Sequence, residues 1–145
     1  MIDTADKVRN VLYKFANSFD VKDWQGLEET LNDEIWCDYK SLRGNASVNN
    51  KSDYIHTRKE SLHHLKTQHL FSNLEIEVQG ENAYCRLSAV IYRENNQGNY
   101  FNTHAVYNFE LSLSKTNVWK IRKISQQVLW NRGDSSIHSG VSEGR

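Results

Sequence analysis

Near residue 66 the apolar residues stop recurring every three or four positions and begin to alternate, and the alternation then holds, with three short interruptions, to about residue 129. Leu70, Leu74, Ile76 and Val78 alternate with His69, Phe71, Asn73, Glu75 and Glu77. Further runs at about 83–93, 99–113 and 118–129 follow the turn sequences QGEN, ENNQGN and SKTN. β-Branched and aromatic residues fill the runs, and Gly and Asn at the joints suit tight hairpins. Four long antiparallel strands predict an open sheet, and such a sheet must bury one face.

The residues before the change supply the cover. Val8, Val11, Leu12 and Phe15 recur at helical spacing, with Asp3 or Thr4 as the cap. Trp24, Leu27 and Leu31 mark a second, short helix, and Ile55, Leu62 and Leu65 a third, capped by Asn50 or Ser52 after the polar loop SLRGNASVNN. A short strand at about 34–39 precedes that third helix. The expected fold class is α+β: a cone-shaped, curved antiparallel sheet closed by three N-terminal helices, in the order α-α-β-α-β-β-β-β. A twisted sheet under helices leaves a concave cavity, the usual place for a small-molecule site.

The 145 residues suit one domain, expected over residues 1–130, followed by a polar Gly/Ser-rich tail at 131–145 that is mobile unless it folds over the pocket. Eighteen Lys and Arg balance eighteen Asp and Glu, so no net field draws in nucleic acid or a membrane surface. The charged start MIDTADKVRN does not read as a signal peptide, and no apolar run reaches the ~20 residues of a membrane span. Cys37 and Cys85 lack metal or redox spacing and are expected as buried thiols. A cytoplasmic protein is the expectation.

Among residues able to carry chemistry, His69 opens a strand in KTQHLFSN, and an ordinary imidazole, with a pKa of about 6.5, exchanges protons near neutrality. Asp20 is its candidate partner, although it also suits a cap on the second helix with Asp23 three residues on. Tyr39 is either a strand aromatic or a phenol donor to a substrate oxygen. In the third long strand Phe101, Ala105, Tyr107, Phe109, Leu111 and Leu113 share one face, and Tyr100, Asn102, His104, Val106 and Asn108 the other. Periodicity leaves open which set lines a pocket and which forms a subunit interface. Glu60 and His63 make half of a di-iron motif with no second copy, His56, His63 and His64 read as exposed, and His138 belongs to the tail. No metal, redox or nucleotide cofactor is expected.

The segments FDVKDWQGL, CDYKSL, LKTQHL and VWKI, in this order and spacing, resemble the scytalone dehydratase family and, more broadly, the SnoaL-like, nuclear transport factor 2-like superfamily, which includes a hexachlorocyclohexane dehydrochlorinase. The likeness extends to about Trp130. It implies a metal-free lyase with an aspartate–histidine pair at Asp20 and His69, a carbonyl-polarising tyrosine at Tyr39 and a leaving-group asparagine at Asn108. That carry-over puts the Asn108 face in the pocket, with His104 beside it. It also implies a homo-oligomer, a trimer first. Three polar positions of the family pattern are apolar here, at Phe19, Ile91 and Val106, so a different set of groups reads the substrate. Two functions are therefore expected to compete: a cofactor-independent dehydratase or related elimination or isomerisation enzyme acting on a small hydrophobic molecule, and a non-catalytic module that binds such a molecule in the same pocket.

Overall fold

The computed structural model describes residues 3–139. Two helices come first, α1 (Thr4–Asp20) and α2 (Trp24–Glu29), each started by an aspartate. Asp3 accepts the Asp6 N–H and Asp23 accepts the Gly26 N–H, each satisfying one of the amides that open a helix. Because Asp23 caps α2, Asp20 is released from that duty and ends α1 as its last residue.

Strand β1 (Leu31–Asp38) leads into a segment expected to be a loop. It holds instead a four-residue helix, α3 (Lys40–Arg43), and a short strand, β2 (Ala46–Asn50). Gly44, at φ 82°, ends α3 in the left-handed conformation that glycine adopts without strain. Strand β2 is made of Ala, Ser, Val and Asn and has little intrinsic preference for extension. Its pairing with β1, Trp36 opposite Val48, is what holds it. Asn50 then caps α4 (Lys51–Leu62) by accepting the Asp53 N–H.

Four long strands follow: β3 (Lys66–Gln79), β4 (Asn82–Glu94), β5 (Phe101–Leu113) and β6 (Trp119–Gly133). They form one curled, unclosed sheet in the order β2-β1-β6-β5-β4-β3. The expected all-antiparallel sheet is corrected at one place, since β1 runs parallel to β6. The chain reaches that position by way of the helical layer, so the parallel pair joins segments some ninety residues apart, and no hairpin signal announces it.

Bulges curl the sheet. Pairing of β3 with β4 slips between Ser72 and Glu75, where Asn73 takes φ 53°, and β5 against β6 slips after His104 and after Glu110. The β3 bulge also changes which residues face inward. Thr67, His69 and Phe71 point to the concave side before it, Leu74 and Ile76 after it, while Leu70 is 47% exposed. The simple alternation expected through Leu70 and Leu74 is thereby broken by one residue.

The concave face and the helices enclose the core. Val8, Leu12, Phe15 and Phe19 of α1 are buried against the sheet, with Phe15 meeting Phe109 edge to face at 5.5 Å. From β5 the inward residues are Phe101, Thr103, Ala105, Tyr107, Phe109 and Leu111. Cys37 and Cys85 are buried free thiols, as expected. After β6, a 3₁₀ turn (Ser135–Ile137) carries the chain back over the open end of the cone, and Ile137 and His138 are buried there. The expected polar tail thus begins as a packed strap. Its last part, residues 140–145, lies outside the described residues. Among the described residues no helix is long and apolar enough to cross a membrane.

Candidate active site

The end of α1 and the start of β3 meet inside the cone, bringing together two residues 49 apart in the chain. The Asp20 carboxylate accepts three hydrogen bonds from β3: the His69 backbone N–H at 2.8 Å, the His69 Nδ1–H at 2.7 Å and the Thr67 hydroxyl at 3.2 Å. A carboxylate only accepts, so Nδ1 carries a ring proton, and Nε2 is the ring nitrogen that the carboxylate does not engage. The backbone bond fixes where the carboxylate is, and the side-chain bond fixes how the ring turns. Phe19 stacks on the imidazole at 5.0 Å and Phe71 meets its edge at 6.3 Å. Both side chains of the pair are largely buried.

His69 lines an interior cavity with Phe19, Tyr39, Ile91, Tyr107 and Gln126. With the strap in place the free space is about 30 Å³, enough for a water and too little for an organic molecule. The Tyr39 and Tyr54 hydroxyls are 3.0 Å apart, and the Arg58 guanidinium lies over both rings, 4.7 and 4.2 Å from their centres. Burial holds the Tyr39 phenol well above its ordinary pKa and pushes Tyr54 up to about 12, so both remain O–H donors. Tyr107 is likewise raised by burial and accepts a hydrogen bond from Gln126 Nε2 at 2.8 Å. The Gln126 Oε1 is buried and has no hydrogen-bond partner among the described residues.

Three expected site residues face the other way. Within β5, Thr103, Ala105 and Tyr107 point inward, so His104, Val106 and Asn108 project from the convex side. Asn108 is exposed and shares a surface groove with Glu75, Arg86 and Glu110. His104 stacks on Trp130 at 4.1 Å. The assignment of Asn108, His104 and Val106 to the pocket is corrected: a one-residue change of parity in a strand exchanges its two faces. The greasier set on this strand is core.

The sequence reading also overlooked residues that the fold brings into the cavity: Arg43 of α3, Tyr54 and Arg58 of α4, Arg93 of β4 and His138 of the strap. A signal existed for two of them. Arg58 falls at helical spacing with Tyr54 and Leu62, and Arg93 continues the inward phase of Leu87, Ala89 and Ile91. A charge in an apolar phase marks an inward cation. His138 gave no such sign. The remaining histidines are peripheral: His56 pairs with Glu60 at 3.1 Å on exposed α4, and His64 Nε2 meets the Ile137 carbonyl at 2.9 Å. Among the described residues no group of three or more His, Cys, Asp or Glu is arranged to hold a metal ion.

A curled, unclosed six-stranded sheet covered by N-terminal helices is the cone of the nuclear transport factor 2-like fold. The chain belongs to the SnoaL-like domain family, whose sequence profile matches residues 1–125. Solved structures agree on the fold. The Kfla4162 protein of Kribbella flavida superposes with a TM-score of 0.84 at 14% identity, covering 90% of this chain and 93% of its own. A Novosphingobium aromaticivorans protein provisionally assigned as a scytalone dehydratase gives 0.78 at 13% identity, covering 96% and 92%. The type 3 hexachlorocyclohexane dehydrochlorinase LinA of Novosphingobium barchaimii gives 0.73 at 15% identity, covering 93% and 92%. No curated protein sequence matches the chain.

Proposed function

We propose that this protein is a cofactor-independent lyase that eliminates water, or a comparable leaving group, from a small hydrophobic carbonyl compound. The observation that carries the reading is the three-point grip of Asp20 on the Thr67–His69 segment, which fixes an imidazole in the lining of the interior cavity. His69 Nε2 takes the proton from the carbon beside the carbonyl. Tyr39, backed by Tyr54, donates to the carbonyl oxygen as negative charge builds there. The imidazolium then gives the same proton to the departing hydroxyl, so a C–H and a C–O bond break, a C=C bond forms and water leaves. Acid/base assistance of this kind contributes roughly 10²–10⁴-fold, and fixed orientation and the oxyanion donors supply the remainder. The protein acts on a small molecule, a reading supported by the fold it shares with a hexachlorocyclohexane dehydrochlorinase and with a protein provisionally assigned as a scytalone dehydratase, and its convex sheet face, with Tyr84, Tyr92 and Trp130 exposed, suits a homo-oligomer.

A second reading, binding without turnover, is favoured by Phe19 and Ile91, which put apolar surface where the family pattern has hydroxyl and imidazole groups. Growth of enone absorbance on a panel of β-hydroxy ketones separates the two. Turnover is expected in the wild type, with a loss of at least 10²-fold in His69→Gln whose melting point is checked in parallel. Turnover that survives His69→Gln at full rate rules out the proton-transfer role.

A further inference from the structure

Besides the acid/base pair, the cavity is lined by three guanidinium groups, brought by three different elements: Arg43 from α3, Arg58 from α4 and Arg93 from β4. Arg58 is 8% and Arg93 4% exposed. Among the described residues none of the three forms an ion pair with a carboxylate. Their hydrogen-bond and ring partners among the described residues are uncharged. Arg93 donates to the Phe101 carbonyl and to the Thr103 hydroxyl at 2.8 Å, Arg43 donates to the Ser61 hydroxyl at 3.3 Å, and Arg58 covers two phenol rings. Burial and mutual repulsion bring Arg43 and Arg93 down to about 10, which still leaves them charged at neutral pH.

Several like charges buried together are costly, and apolar side chains of the same volume pack there more favourably. The arrangement becomes favourable when an anion enters. Planar guanidinium forks match a carboxylate oxygen for hydrogen, and the low dielectric strengthens each bond. In the closed form the neutral imidazole of His138, delivered by the strap, shares the lining of the cavity with all three arginines. Lifting the strap, whose backbone is tied by His64 Nε2 to the Ile137 carbonyl, vacates a ring-sized volume beside them.

We propose that the molecule taken by this cavity is a small organic acid, held as its carboxylate by Arg58 and Arg93, with Arg43 adding charge and the His138 ring displaced. As an assignment of substrate class this rests on the acid/base reading above, and the carboxylate anchors the molecule while His69 works at a carbon along it. As an assignment of binding it is independent of turnover.

The test is titration calorimetry of the full chain at pH 7 with acetate, crotonate and benzoate, each against its neutral amide. At least one acid is expected to bind on the order of 30-fold more tightly than its amide, and Arg58→Gln and Arg93→Gln each to weaken that acid by a similar factor while leaving the amide alone. Should either variant fail to fold, the Lys substitutions at 58 and 93 keep the charge and lose the fork, and a drop of about tenfold is expected. His138→Ala, which empties the ring's volume, is expected to bind the acid more tightly. No acid preferred over its amide, or a preference indifferent to both arginines, overturns the proposal. His69→Gln separates the two readings. Carboxylate binding without His69-dependent turnover of any acid ends the lyase reading alone, and His69-dependent turnover of neutral hydroxy ketones without carboxylate preference ends this one alone.

Discussion

Replacing Asp20 tests whether one carboxylate both orders the β3 entrance and orients the imidazole. Its three acceptor contacts, at 2.7, 2.8 and 3.2 Å, all come from one short stretch of strand. Bonds to a charged acceptor are worth about 1.5–3 kcal/mol each, but three bonds to one group are not additive, and the Thr67 contact is long. Asp20→Ala leaves a part-buried His69 N–H without a partner and an imidazole without its orienting bond, for an expected loss of about 3 kcal/mol. For a domain of this size that is a fall of roughly 6–12 °C in melting point. Asp20→Asn keeps the shape and one good acceptor but loses the charge, and about 1–2 kcal/mol is expected. Guanidinium denaturation of the three proteins gives the series directly. An Asp20→Ala protein within about 1 kcal/mol of wild type, or an Asn variant as unstable as the Ala one, would refute the three-point grip.

Acidification should release the strap. Burial first, then the charges of Arg93, Arg43 and Arg58 around it, hold His138 down to about 2, against about 6.5 in an open chain. Its contribution is therefore present above about pH 6.5 and lost as the pH falls toward the folded value, because the open form binds a proton the closed form refuses. With the intrinsic pH dependence of exchange divided out, protection at Ile137 and His138 is expected to fall from pH 7 to 5 relative to core amides such as Leu111. A ratio of strap to core exchange that is flat over that range, and the same in His138→Gln, contradicts the placement of the ring. At Gly133, with φ 98°, an added Cβ meets the Tyr100 carbonyl oxygen at 2.2 Å, so Gly133→Ala is expected to cost at least about 2 kcal/mol. Gly80→Ala, at φ 60° with nothing within 4 Å, should cost about 1 kcal/mol. Equal denaturation midpoints for the two variants would show that the close approach at Tyr100 is absent.

How far the sequence could be read depended on how local the cause was. The long strands, the α1 stripe and the caps of α1 and α4 are decided by residues within a turn or a hairpin of one another; strands and stripe are where the pattern put them, and each cap falls on the first of its two candidates, Asp3 and Asn50. Strand β2 was missed because its Ser and Asn residues prefer turns, and its extension comes from pairing with β1. The outward placement of Asn108 was missed because the alternation of β5 is the same whichever side is covered, and only α1, through Phe15 on Phe109, says which side that is.

The sequence by itself determined that helices would cover an alternating sheet, and through FDVKDWQGL and LKTQHL it named the two residues worth bringing together. Tertiary structure alone decided that Asp23 rather than Asp20 would cap α2, that His69 would turn inward ahead of the β3 bulge, and that His138 would close a cavity ringed by Arg43, Arg58 and Arg93. The reason is range. Capping and alternation act over a few residues, whereas the charge and enclosure of a cavity are sums over side chains from helix, sheet and strap that meet only once the cone has formed.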